Sequence, residues 1–410
     1  MKAVRWYGKK DVRVENVPDP KMINPRDAIV EVTSTAICGS DLHFYHGLVM
    51  GMKKGDIVGH EFAGNVVEVG KGVKNLKVGD RVTVPFTIQC GNCFHCGRQE
   101  YSLCDNSNPN GHLLAKETGY GTAGLFGYTH LYGGYPGGQA QYVRVPFADI
   151  GPFKLPDSVT DEQGALLADV FPTGYMAAEN CGITPGDTIA VWGCGPVGQF
   201  AIRSAFMLGA DRVIAIDRFP ERLELAARVQ GAEIINYEEV DVIEALKFMT
   251  GGRGPDACID AVGMEAHGHS IDAWMDEALQ KTMLETDRSH ALRQAIKACR
   301  KGGTISMPGV YVGILDNFPL GVAFAKGLTF KMGQTHVPKY LPRLVEAIER
   351  GEVDPTAIVS HRLKMEDAPH GYDIWSKKKE HVTKILLDPR SGGSSSTGSD
   401  HNHRHDHSHN

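Results

Sequence analysis

Thr188-Ile189-Ala190-Val191-Trp192-Gly193-Cys194-Gly195-Pro196-Val197-Gly198 decides the architecture of this 410-residue chain. Five mostly β-forming residues, four of them apolar, read as a short buried strand, and three glycines at G-x-G-x-x-G spacing follow at once. Residues 199–208 then read as a helix. Such a turn lets the backbone approach a pyrophosphate and points a helix N-terminus at it. The alternation continues with a strand at 212–216, a helix at 221–230 and the approach to another strand at 256–260. That order implies an α/β, doubly wound parallel sheet. Asp217 stands at the end of the second strand, 24 residues after Gly193. A carboxylate there accepts ribose hydroxyls and repels a 2′-phosphate, which favours NAD over NADP. Arg218 and Arg222 pull the other way, since arginines can host a 2′-phosphate, although Arg222 suits the adenosine ribose or the pyrophosphate equally well. The candidate cofactor contacts are therefore Gly193, Gly195, Pro196, Val197, Gly198, Asp217, Arg218 and Arg222.

Upstream of this region the period changes. Residues 1–156 show short alternating runs such as Ala28-Ile29-Val30-Glu31-Val32 and Arg81-Val82-Thr83-Val84, punctuated by Gly and Pro, and read as mostly β. Downstream, one helix is expected at 340–349 and one strand at 382–387, returning to the first domain. The expected division is 1–169 for a β-rich domain, with a metal lobe at about 88–106. A nucleotide-binding domain follows at 170–331, carrying an insertion at about 264–288. Residues 332–389 rejoin the first domain. The segment 390–410 is Ser/Gly-rich and then His-rich and cannot support a core, so it reads as a linker with an affinity tag; a native metal-scavenging tail is the alternative.

Cys90, Cys93, Cys96 and Cys104 form a C-x2-C-x2-C-x7-C run. Four thiolates so spaced can close a tetrahedral shell around one zinc, which makes a structural site with no corner for substrate. A disulfide framework competes for the same residues but suits small secreted domains better. A metal that does chemistry has to be built elsewhere, from Cys38, His60 and a third ligand. With 42% apolar and 22% charged residues and a net charge of −6, the chain has the composition of a soluble globular protein. That charge gives no footprint for nucleic acid or anionic membrane. No apolar run reaches membrane-span length and no secretory h-region follows Met1, so a cytoplasmic location is expected.

The flanks of Cys38 and His60 carry more. Gly59-His60-Glu61-Phe62-Ala63-Gly64, followed by Gly70 and Val73, resembles the signature of zinc-containing medium-chain alcohol dehydrogenases. Ile37-Cys38-Gly39-Ser40-Asp41-Leu42-His43 resembles that family's first catalytic-ligand loop. The cysteine run and the dinucleotide fold come in the family's order, and the resemblance spans residues 1–389. It implies a GroES-like catalytic domain beside the Rossmann-type sheet, two zinc ions per chain, NAD, a small alcohol or aldehyde substrate, and a homo-oligomer, with a tetramer favoured over a dimer. The family's third ligand lies where this chain has Gly164-Ala165-Leu166-Leu167-Ala168-Asp169-Val170-Phe171-Pro172-Thr173-Gly174-Tyr175. That stretch lacks Cys, and Asp169 is its only ionisable candidate. It is similar to the glutathione-independent formaldehyde dehydrogenases and formaldehyde dismutases, as is the insertion after Gly263. A structural Asp169 is the plainer reading, yet a carboxylate in so apolar a stretch needs a partner, and a cation serves.

The resemblance assigns Cys38, His60 and Asp169 to a catalytic zinc and Ser40 and His43 to a proton relay. Asp41 and Glu61 orient His60 and tune the metal, Glu61 with transient ligation. Thr173 lies where the resembling family contacts the nicotinamide. Zinc with one open position would lower the pKa of a bound hydroxyl to about 7. The expected activity is hydride transfer between a small primary alcohol or aldehyde and NAD, with formaldehyde favoured and dismutation included. Alternatives are a secondary-alcohol or polyol dehydrogenase and, in another class, a non-catalytic NAD-binding protein. In the expected substrate loop, 111–138, Tyr120, Tyr128, Tyr132 and Tyr135 either line a pocket or pack against glycines.

Overall fold

The computed structural model describes residues 1–263, 290–311, 315 and 317–390. The expected insertion at 264–288 and the tail at 391–410 lie outside the described residues. Two large sheets dominate. Thr188–Trp192 is buried along its whole length. It lies at the centre of a six-stranded parallel sheet, flanked by Arg212–Asp217 and Glu233–Asn236 on one side and by Ala257–Asp260, Thr304–Met307 and Thr329–Met332 on the other. Strands buried on both faces carry no polar alternation, which is why the first reads as a continuous apolar run. The chain reverses direction across the sheet beside Thr188–Trp192. The crevice beyond the strand ends at such a switch is where open α/β sheets bind ligands.

The second sheet has seven strands, built around Ala28–Ile37. Its register places the site. Ala36 pairs with Glu61 in the antiparallel partner Glu61–Val69, so Cys38, two residues past Ala36, emerges beside His60. On the other flank Ile37 pairs with Ile385, which sets Lys384 next to Cys38. Three remote stretches of sequence thus end at one edge. A one-residue slip would turn every one of these side chains to the opposite face.

Helices Asp161–Leu167 and Val170–Glu179 lead from this sheet to the parallel one. The first opens with a capping box from Thr160 and Gln163. A single apolar cluster containing Ala36, Leu166, Phe171, Phe200, Leu341 and Leu344 joins both sheets' helices around the site. Among the described residues two α-helices follow residue 332, Val337–Glu349 and Ala368–Ser376, where the sequence reading expects one helix. Pro369 and Gly371 disguise the second as a loop. Pro369 sits in its first turn, where no N–H is needed, and a Cβ on Gly371 would press on Ile37 at 3.0 Å. Among the described residues no helix is long and apolar enough to cross a membrane.

Candidate active site

Cys38, His60, Glu61 and Asp169 each direct one potential ligand atom to a common point, all within 4.8 Å of one another and all buried. Cys38 Sγ is 3.7 Å from Asp169 Oδ2, and His60 Nε2 is 3.4 Å from the same oxygen. Tetrahedral zinc at its usual bond lengths separates S and O ligands by about 3.6 Å and N and O ligands by about 3.4 Å. The Cys38, His60 and Asp169 atoms therefore stand at ligand spacing. Asp169 is the N-cap of Val170–Glu179, yet its carboxylate makes no cap hydrogen bond. Its Oδ1 accepts from Thr173 Oγ1 at 2.7 Å, leaving Oδ2 for the cluster. Thr173 in turn accepts from Thr335 Oγ1 at 2.9 Å, so the geometry makes it first a brace for Asp169, although it also lines the cleft.

Ser40 Oγ touches both Cys38 Sγ at 3.3 Å and His60 Nε2 at 3.2 Å. His43 is buried in the short helix Asp41–His46 and lines the same cleft. Asp41 Oδ1 faces His60 Nδ1 at 3.2 Å, while its Oδ2 accepts from the Cys38 amide and from Gln139 Nε2. Glu61 behaves differently from the orienting role the sequence suggests. Its Oε2 pairs with Lys384 Nζ, both side chains fully buried, and its Oε1 has no hydrogen-bond partner among the described residues. Lys384, which sequence reasoning missed, also lies over the Trp375 ring at 5.6 Å. The available signal was a single lysine in the apolar run before Leu387, since a charge buried there must be paired.

The electrostatics describe donors short of positive charge. Burial and the Glu61 carboxylate push the Cys38 thiol up to about 11. Burial raises Glu61 to about 6 against the pull of Lys384. Burial disfavours the His60 imidazolium, but Asp41 and Cys38 outweigh it and hold its pKa well above the ordinary value. Burial also works against Asp169, whose hydrogen bond from His60 nevertheless keeps it below the usual carboxylate range. A divalent cation would supply the charge these groups compete for, and the unpartnered Glu61 oxygen fits the same reading.

The four lobe cysteines likewise bring their sulfurs within 4.8 Å of one another, Cys93 and Cys104 at 3.9 Å, against about 3.8 Å for two sulfurs on tetrahedral zinc. All nine cysteines are free thiols.

A cleft of about 1090 Å³ runs from Cys38 and His60 to the glycine turn and Asp217. Gly193 has φ +86°, which a side chain would strain, and a Cβ on Gly198 would collide with the Gly193 carbonyl. Gly195 is different: a Cβ there would meet only Arg222 Nη1, at 3.8 Å. No protein atom requires a glycine at 195, whereas a closely approaching ligand would. Gly195 caps helix Pro196–Met207, with Pro196 in its first turn. Asp217 Oδ2 accepts from the Cys194 amide at 2.7 Å, and Oδ1 from the Arg218 and Phe219 amides. Three of its roughly four acceptor sites are thus already used. Arg218 and Arg222 both lie over the Phe219 ring, and Arg222 Nε has no partner among the described residues. Of the loop tyrosines, Tyr128 and Tyr132 line the cleft. Tyr135 packs against Gly124 and Gly133, and Tyr120 is exposed.

The profile of the alcohol dehydrogenase GroES-like domain matches residues 24–157, and that of the zinc-binding dehydrogenase matches residues 196–278. The chain is 44% identical over 392 residues to an uncharacterized zinc-type alcohol dehydrogenase-like protein, AdhB, of Bacillus subtilis, covering 95% of this chain and 100% of that one. The chain belongs to the zinc-type alcohol dehydrogenase family. It is an oxidoreductase with that family's GroES-like domain and parallel-sheet Rossmann domain. Glutathione-independent formaldehyde dehydrogenase of Pseudomonas aeruginosa is 36% identical over 414 residues, covering 95% and 98% of the two chains. Among solved structures, alcohol dehydrogenase TADH from Thermus sp. ATN1 superposes with a TM-score of 0.78 at 35% identity, over 95% of this chain and 99% of that one.

Proposed function

We propose that this chain is a zinc- and NAD-dependent dehydrogenase of small primary alcohols and aldehydes, with formaldehyde as the favoured substrate. The observation that carries the reading is the convergence of Cys38 Sγ, His60 Nε2 and Asp169 Oδ2 at ligand spacing, in a cleft that continues to the glycine turn. Zinc held by these three residues supplies Lewis acidity toward a bound hydroxyl, and NAD along the glycine turn supplies the hydride acceptor. The protein's own part is positional. Phe86 and Tyr128 stand edge-on to the His60 ring at 6.1 and 6.4 Å and keep water from that end of the cleft. Ser40 Oγ takes the substrate proton and His43 passes it outward. Gly195 and the helix behind it receive the pyrophosphate, and Asp217 and Arg222 the adenosine side. The lobe cysteines hold a second, structural zinc.

The formaldehyde reading is supported by the Pseudomonas aeruginosa relative and by formaldehyde dismutase of Pseudomonas putida, 33% identical over 95% of this chain. Likeness to 2R,3R-butanediol dehydrogenase of Bacillus subtilis, at 27% identity and a TM-score of 0.73, supports a secondary-alcohol or polyol substrate as the second reading. Nine cysteines with no disulfide among them suit a reducing cytoplasm. Among the described residues the outer side of edge strand Thr329–Met332 is unpaired and Met332 is exposed, which suits a homo-oligomer, dimer or tetramer. Purified protein given formaldehyde without added NAD tests the proposal. Methanol and formate together would mean dismutation by retained cofactor, and turnover only with added NAD an ordinary dehydrogenase. Oxidation of 2,3-butanediol with formaldehyde inert would replace the substrate, and inactivity toward every alcohol and aldehyde would overturn the reading.

A further inference from the structure

Ser102 sits in the turn Tyr101–Leu103, between the third and fourth lobe cysteines, and is 2% exposed. The cysteine cluster holds its backbone in place, since the Cys104 amide donates to the Tyr101 carbonyl and the Ala123 amide to the Ser102 carbonyl. Its hydroxyl leaves the lobe. Ser102 Oγ donates to the Gln334 carbonyl at 2.8 Å and lies 3.0 Å from His336 Nδ1, toward which the Ser102 amide also points at 3.4 Å, so this one residue grips both ends of Gln334-Thr335-His336. The middle residue, Thr335, is 1% exposed and faces the other way. Its Oγ1 donates to Thr173 Oγ1 at 2.9 Å, and Thr173 donates to Asp169 Oδ1 at 2.7 Å. Gln334 and Thr335 also line the cleft.

We propose that Ser102 is a positioning residue that couples the cysteine lobe to Asp169 through Gln334-Thr335-His336. The inference rests on the reading of Asp169 as a metal ligand. Thr335 and Thr173 hold one carboxylate oxygen so that the other is presented to Cys38 and His60, and hydrogen-bonded ligands of this kind set metal retention. The Thr335 hydroxyl is only as well placed as its own backbone, which Ser102 fixes. The Thr335 and Thr173 hydroxyls donate in the same direction toward Asp169 and polarise one another, whereas Ser102 acts on them through the position of the Gln334-Thr335 backbone.

The test is zinc release from the full-length, zinc-loaded protein to a chromophoric chelator. Two phases are expected, and Asp169→Ala, which removes a ligand, identifies the one belonging to the Asp169 cluster. Ser102→Ala and Thr335→Val should each speed that phase on the order of threefold to thirtyfold, the span of coupling through a packed network. The double variant should be no faster than the faster single one, and Ser102→Thr, which keeps the hydroxyl, should restore the slow rate. A merely structural Ser102 would lower the unfolding temperature and leave the Asp169-dependent phase unchanged. That result, or singles whose effects multiply in the double variant, overturns the coupling. Should Asp169→Ala keep both phases, the ligand reading itself fails and the inference with it. If Asp169→Ala loses one phase while Ser102→Ala and Thr335→Val match wild type, only the coupling fails.

Discussion

Replacing Gly195 with alanine separates what the fold needs from what the cofactor needs. Its φ of −68° and ψ of −176° suit any residue, and the added methyl would meet only Arg222 Nη1, at 3.8 Å. As a helix N-cap, alanine is worse than glycine by up to about 1 kcal/mol. Loss of glycine's freedom in the unfolded chain returns about 0.4–1 kcal/mol. The two nearly cancel, so the unfolding temperature should move by no more than a few degrees. A dinucleotide whose pyrophosphate rests against the helix end cannot share space with that methyl, and its affinity should fall at least about tenfold, or roughly 1.4 kcal/mol. Gly198→Ala is the contrast. There the methyl collides with the Gly193 carbonyl, and a core overpacked in this way loses about 1–3 kcal/mol before any ligand is added. Titration of NADH fluorescence beside a thermal melt reads both quantities. Wild-type NADH affinity in Gly195→Ala would falsify the placement of the cofactor along this turn.

Other perturbations address the remaining groups. Lys384→Met strands the buried Glu61 charge and should cost about 3–5 kcal/mol, most of it recovered when Glu61→Gln is added; denaturant unfolding of the single and double variants gives both values, and equal losses in the two would show that the pair is not what holds them. Cys93→Ser should leave one zinc per chain instead of two by metal analysis and lower the unfolding temperature by several degrees, whereas two retained zincs would remove the cysteines from metal binding. Asp217→Asn loses an acceptor for the Cys194 or Arg218 amide and the charge that repels a 2′-phosphate. The ratio of NADH to NADPH affinity should drop about tenfold or more, and an unchanged ratio would assign discrimination to Arg218 and Arg222.

The parts of this fold that can be read from sequence are those where one physical demand acts alone. Thr188–Trp192 and Arg81–Val84 have the expected limits because burial and punctuation agree there. Glu233–Asn236 and Thr329–Met332 escape notice because edge strands are half solvated and show neither a clean apolar run nor alternation. The helix reading at 199–208 starts three residues late, at the far side of Pro196, which the first turn tolerates. In the site, Cys38 and His60 stand out by their flanking residues and Asp169 by its apolar surroundings. Thr335 does not, since a threonine in a loop is ordinarily solvated, and Lys384 shows itself only as a lone charge in an apolar run, with nothing to name its partner. Their roles come from register and from hydrogen bonds across more than 150 residues, which no local pattern encodes.

The strand Ile385–Asp388 has a consequence for biogenesis. Lys384 meets Glu61 across a sequence separation of 323 residues, and the strand it precedes completes a flank of Ala28–Ile37. During translation the early β segments emerge with an acidic side chain whose counterion is still unmade. The nucleotide-binding half, whose strands pair closer together in sequence, can mature on the ribosome first, as successive domains commonly do. Ending synthesis before residue 384 would leave that earlier half with an open seam and an unneutralised carboxylate, a species for chaperones and proteases to remove.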